Sequence, residues 1–166
     1  MLQPVRRRTW APRGQTPIQI VWDRRDRISV SCGISLSPRR RRLGLYFQLQ
    51  RRNINADDAL SFLRQLLAQL QRKIILVLDR WSVHRSAARR LLARRSSRVH
   101  VEWLPPYSPE LNPVEYVWGH TKSADMANYI ADDIIDLHCE IELSLFKTEA
   151  QQDLLRSFFR HAKLPL

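Results

Sequence analysis

The stretch Lys73–Arg80, KIILVLDR, decides the fold. Ile74 to Leu78 form an apolar run of strand length, and a run without polar alternation suits a strand covered on both faces. It ends in a bare carboxylate, Asp79. Before it, Asn55 is a strong N-cap, and Asp57 and Asp58 suit the positive end of a helix dipole. Leu60, Leu63, Leu67 and Leu70 then recur at helical spacing until Lys73. After it, Ser86 can cap a short helix through Arg95, and Val99, Val101 and Trp103 alternate along a strand that stops at Pro105-Pro106. Helix, strand, helix, strand is the order of an α/β domain.

Working outward, the N-terminal third reads as strands and turns. Thr16–Trp22 (TPIQIVW) is an apolar run, followed by a polar turn at Asp23–Asp26. Arg27–Ser35 puts Ile28, Val30 and Cys32 on one face of a half-buried strand. The basic run Pro38–Arg42 makes a second turn, and Leu43–Leu49 is another strand. Together they predict an antiparallel meander with Arg-rich turns. Toward the C-terminus a helix spans about Pro113 to Lys122. Ile130, Ile134, Leu137, Ile141 and Leu145 then recur every three or four residues. Thr148 with Gln151 matches a capping box for a last helix carrying Leu154, Leu155, Phe158 and Phe159. The expectation is a mixed sheet with flanking helices, in a core over residues 1–122 and a helical tail over 123–166 packing on it.

At 166 residues the chain has the length of one domain, and 44% hydrophobic residues exclude a disordered polymer. No apolar run approaches the roughly 20 residues that span a bilayer. The stretch MLQPVRRRTW has no apolar secretory segment, and two cysteines are too few for a disulfide framework or a cysteine zinc site. A cytoplasmic protein with no membrane partner is expected. Net charge is +12, unevenly spread: residues 1–122 carry 24 Lys/Arg against 8 Asp/Glu, and residues 123–166 carry 4 against 8. A basic body suits a polyanionic partner such as nucleic acid. The plainer reading is an arginine-rich gene, since only 4 of the 28 basic residues are lysine.

Reactive groups in open α/β sheets gather at the carboxyl ends of strands, where Asp79 falls. As a plain turn residue, Asp79 would cap the loop of Trp81 to Arg85. Glu115, in PPYSPELNPVEYVWGHTK (Pro105–Lys122), also has two readings. Asn112 as N-cap, Pro113 at the first helical position and Glu115 three residues after the cap would make a capping box. Alternatively, Glu115 shares a face with Trp118 and Lys122, and a carboxylate beside an aromatic ring and a cation suits a site that grips a phosphodiester.

The stretch Leu76–Lys122, LVLDRWSVHRS…VEWLPPYSPELNPVEYVWGHTK, closely resembles the DDE endonuclease domain of insertion-sequence transposases in the mariner superfamily. RRTWAPRGQTP resembles the segment after that family's first catalytic strand, and DRISVSCGISLSP and LGLYFQLQ resemble its second and third strands. The resemblance implies a ribonuclease-H-like fold, with Asp79 and Glu115 as the second and third acids of the catalytic triad. It implies two Mg2+ or Mn2+ ions, whose hard oxygen ligands and open positions serve in-line phosphoryl displacement in DNA cleavage and strand transfer. His84, Arg85, Trp118 and Lys122 are candidate DNA contacts, with a surface or loop-packing role for His84 and Arg85 and core packing for Trp118 as the plainer readings. Transposon ends and target DNA are the implied partners, with a homodimer or a separately made N-terminal part beside them.

Two departures from the family pattern matter. The first catalytic aspartate belongs on a strand ahead of the RRTWAPRG-like segment, where this sequence has only MLQPV. Asp23 sits in a turn and matches no family motif. Arg80 stands where many relatives carry asparagine, and a cation there opposes metal binding slightly. The expectation is an N-terminally truncated transposase domain, inactive or impaired alone. The alternatives are a non-catalytic DNA-binding or assembly fragment and a nuclease of RNA–DNA hybrids.

Overall fold

A computed structural model describes residues 5–15, 17–18, 27–93 and 97–165. Strand β1 (Ser29–Leu36) pairs antiparallel with β2 (Leu43–Gln50), in a register that sets Cys32 against Phe47. Helix α1 (Ala56–Gln69) leads to β3 (Ile74–Leu78), α2 (Ser82–Leu92) and β4 (Val99–Trp103). β3 and β4 run parallel, Leu76 opposite Val101. Helices α3 (Pro113–His120), α4 (Ile134–Ala150) and α5 (Gln152–His161) complete the chain. The α/β class holds, but among the described residues the sheet is two separate two-stranded ladders. The expected strand at Thr16–Trp22 lies outside the described residues except for Pro17 and Ile18. So do the Asp23–Asp26 turn and Arg95.

Each ladder has its own core. Ile28, just before β1, and Leu43 and Leu45 of β2 are buried with Val117 of α3, Leu137, Ile141 and Leu145 of α4, and Leu155, Phe158 and Phe159 of α5. Val30 and Cys32 pack on the same cluster as the alternation from Ile28 onward predicts, but the opposite face is covered too, with Ser29 buried and Gly33 against α1. The second cluster joins Ala59, Leu60 and Leu63 of α1, Ala87 and Leu91 of α2, and Val99 of β4. α1 touches both parts: a Cβ built at Gly33 of β1 would lie 3.9 Å from Phe62 and Leu66.

Several local expectations fail for identifiable reasons. Among the described residues β3 is covered on one face only: Leu76 packs into the second cluster while Ile75 and Val77 are 68% and 55% exposed. An unbroken apolar run cannot reveal which neighbours are present to cover it. α2 starts at Ser82, so Ser86 is a mid-helix residue and not a cap. Gln151 is itself the N-cap residue of α5, while Thr148 is buried in the last turn of α4 with its hydroxyl unpartnered. No capping box forms there because α4 and α5 follow almost directly on one another. α3 ends at His120 and passes into one π-helical turn, Thr121–Asp125. That turn presents Thr121 and Asp125 to Ser144 of α4, whose hydroxyl donates to Asp125 at 2.6 Å. The expected cap of α1 does form, with Asn55 and Asp58 bonding reciprocally and Arg52 gripping Asp58 at 2.6 and 2.7 Å.

Candidate active site

Asp79 follows β3 directly, and Glu115 lies in the first turn of α3, with 35 residues between them. The ladder explains their proximity. β4 runs parallel to β3 and Leu104 extends the pairing by donating to the Leu78 carbonyl at 2.8 Å, so the chain leaves β4 at the same end as Asp79. The Pro105-Pro106 pair ends the strand, Tyr107 adopts a left-handed φ of 55°, and a 3-10 turn at Pro109–Leu111 delivers Asn112. Both carboxylates line one open cleft of about 570 Å3, together with Arg80, Trp81, Ser82, residues 104–109 and Asn112.

The two acids are held differently. Asp79 Oδ1 accepts from the Trp81 backbone N–H at 3.0 Å and meets His84 Nδ1 at 2.5 Å. The His84 ring stands edge-on to Trp81 at 5.2 Å between centroids. The His84 bond holds the Asp79 carboxyl below the usual carboxylate range, with the Trp81 N–H adding to it and partial burial opposing it. The plain turn reading of Asp79 is therefore right for Oδ1, and Oδ2 stays outside those bonds. Glu115 is exposed, and its carboxylate has no hydrogen bond or ion pair among the described residues. Asn112 caps α3 through Val114 N–H at 3.1 Å, but Glu115 makes no reciprocal bond. The capping-box reading of Glu115 does not hold.

The other candidates divide. His84 is 31% exposed at its side chain and bound to Asp79, and Arg85 is exposed on α2 beyond the cleft lining. Trp118 packs against the larger core cluster and Lys122 is half-buried in the π turn, so neither lines the cleft. Three lining groups escaped the sequence reading. Trp81 is 47% exposed and Tyr107 fully exposed, both at the cleft. Ser82 adds a hydroxyl. The Pro-Pro-Tyr turn and the residues just after a strand-end aspartate were the available signals. Arg80 lines the cleft as well, and its Nε donates to the Leu104 carbonyl at 3.1 Å.

The donor set fits a hard divalent cation in kind, because the cleft offers carboxylate oxygens and neither thiolate nor imidazole lines it. In number it is short: among the described residues no three His, Cys, Asp or Glu side chains gather to hold a metal. No helix among them is long and apolar enough to cross a membrane.

Among solved structures the chain is similar to the Mos1 strand transfer complex, with 20% identity and a TM-score of 0.61 over 96% of this chain. It spans 46% of the Mos1 chain. That likeness carries the fold, which is the α/β, ribonuclease-H-like one expected. No curated protein sequence matches. The family model described as DDE superfamily endonuclease matches residues 1–138, and the chain therefore belongs to the DDE endonuclease superfamily.

Proposed function

We propose that this chain is the endonuclease part of a DNA transposase, with Asp79 and Glu115 holding a divalent cation, Mg2+ or Mn2+, against a DNA phosphodiester. The observation that carries the reading is a shared cleft in which one carboxylate, Glu115, has no hydrogen-bond or ion-pair partner among the described residues. An exposed acid in the first turn of a helix is favoured by the helix dipole alone, and one that neither caps nor pairs among the described residues keeps its oxygens free for an external cation. The Mos1 likeness extends the proposal from cleavage to strand transfer. Transposon ends and target DNA are the proposed partners, with a second copy or a separately made polypeptide completing the assembly.

When bound, the cation supplies Lewis acidity at the phosphate and lowers the pKa of the attacking hydroxyl. The protein's own part is positional. The Trp81 N–H and His84 fix Asp79 through Oδ1, which orients Oδ2 as the free ligand oxygen. Glu115 adds oxygens from a helix whose start is fixed by Asn112 and Pro113. Arg80, tied to the Leu104 carbonyl, keeps a positive charge at the cleft for phosphate, and the exposed Trp81 and Tyr107 rings offer faces for bases to stack on. With two acids in place of three among the described residues, the chain alone is proposed to be an impaired nuclease.

In a magnesium-dependent nicking assay the purified chain is expected to cut feebly, with Asp79→Asn removing the remainder. Mn2+ titration followed by electron paramagnetic resonance is expected to show weak binding that Asp79→Asn and Glu115→Gln both abolish; binding unchanged in both variants would overturn the site. Robust nicking lost in Asp79→Asn would instead overturn only the impairment. The two-acid count also favours a second reading, a non-catalytic DNA-binding or assembly fragment. It requires metal-free DNA affinity to survive Asp79→Asn and Glu115→Gln.

A further inference from the structure

The turn joining β1 and β2 carries four consecutive arginines, Arg39–Arg42, all exposed. Among the described residues none of them forms an ion pair, although acids elsewhere in the chain do engage Arg52 and Arg90. The turn is also unusually braced. Ser37 N–H donates to the Arg42 carbonyl at 2.9 Å, Arg42 N–H donates to Ser37 Oγ at 3.0 Å, and Arg40 N–H donates to the Ser37 carbonyl at 2.8 Å with Arg40 at a left-handed φ of 53°. From α5, Arg156 donates to the carbonyls of Arg41 at 2.5 Å and Arg40 at 3.4 Å. One helical turn before it, Gln152 pairs with both the N–H and the carbonyl of Leu43, at 3.0 and 2.9 Å.

This arrangement sets five arginines at one corner of the molecule, and among the described residues none of them is paired with a carboxylate. Like charges so placed repel one another. Arg156 adds a fifth positive charge to the four when a neutral donor could have satisfied the same carbonyls. A solvated turn needs neither the rigidity nor the extra cation. A polyanion supplies the missing counter-charge, and a braced turn loses less conformational entropy when it meets one.

We infer that the Arg39–Arg42 turn, clamped by Arg156 and Gln152 of α5, is a phosphate-backbone grip for duplex DNA, separate from the Asp79–Glu115 cleft. It rests on the reading of this chain as a DNA-handling protein and adds where, outside the cleft, the duplex is held. Neutralising contacts of this kind release counterions, so each phosphate engaged contributes about 0.9 to the slope of log affinity against log salt concentration.

The test is binding of a short labelled B-form duplex by fluorescence anisotropy across a salt series, using the full chain without metal. Arg39→Gln/Arg41→Gln/Arg42→Gln is expected to weaken binding at least about tenfold near 0.1 M salt and to lower the slope by about 2–3. The Arg39→Lys/Arg41→Lys/Arg42→Lys chain, which keeps the charge, should retain most of the slope. Arg156→Gln is expected to weaken binding beyond the loss of one charge, because it also frees the turn. An unchanged slope in the triple glutamine variant, with wild-type binding intact, overturns the grip and leaves the cleft's function standing. Failure of the wild-type chain to bind duplex DNA at all overturns both. Binding to anionic lipid vesicles that matches duplex binding and is lost in the same variant also overturns the assignment to DNA.

Discussion

At the start of α3, Asn112 caps and Glu115 does not, and the difference is measurable. Asn112→Ala removes the acceptor for Val114 N–H and is expected to cost about 1 kcal/mol of stability. Glu115→Gln, with no partner to lose, should leave the thermal midpoint within the range of ordinary surface changes, about 0.5 kcal/mol, while abolishing Mn2+ binding. A destabilised Glu115→Gln chain would restore the capping account. Acid titration gives a second residue-level expectation. Asp58, Asp79 and Asp136 all lie below the usual carboxylate range, held there chiefly by Arg52, His84 and Tyr129 respectively. A carboxyl whose folded pKa is depressed contributes stability above its unfolded value of about 4, and the contribution disappears as pH falls through the folded value. The thermal midpoint should therefore drop below about pH 4. Arg52→Gln should be less stable than wild type at neutral pH, with the gap narrowing as Asp58 protonates.

Among the elements, β3 shows most clearly how neighbours set the energetics of a strand. Its Leu76 side faces α1 and α2, and its Ile75 and Val77 side lies open beside His100 and Glu102 of β4. Val77→Thr should consequently change stability by less than about 0.5 kcal/mol, whereas Leu60→Ala, in the core beneath the other face, should cost about 2–5 kcal/mol. Urea denaturation of the two variants checks this, and a large loss in Val77→Thr would mean that the open face is covered in solution. α2 illustrates a different point. It begins without a side-chain cap, and its preceding loop is pinned instead by Asp79 accepting the Trp81 N–H. One carboxylate thus organises the helix entry and lines the cleft.

For the whole molecule, two core clusters share one chain, with α1 lying against both. α4 and α5 close the antiparallel ladder, not the parallel one that bears Asp79. Ile141→Asp, a charge placed at a fully buried position of α4, is expected to strip hydrogen-exchange protection from Ser29–Gln50. Protection in α1 and α2 should persist. Its loss everywhere would show that the clusters unfold as one unit. The exposed arginines of the β1–β2 turn lie at the corner that α5 braces, while those of α1 and α2 lie with the other cluster.

The sequence by itself determined the order and kind of the described elements, though not boundaries such as the Ser82 start of α2. The apolar runs, the Asn55 and Asn112 caps and the Pro105-Pro106 stop act over a few residues, so their physics is complete within a short window. The SPELNPVEYVWG segment named the family for the same local reason. Tertiary structure alone decided which faces are covered, as Ile75 and Val77 demonstrate, and that the sheet runs as two ladders among the described residues. It alone decided that Trp118 turns to the core while Trp81 and Tyr107 reach the cleft, and that Glu115 has no partner among the described residues. Coverage and partnership depend on groups far away along the chain, and no local pattern encodes which of them will arrive.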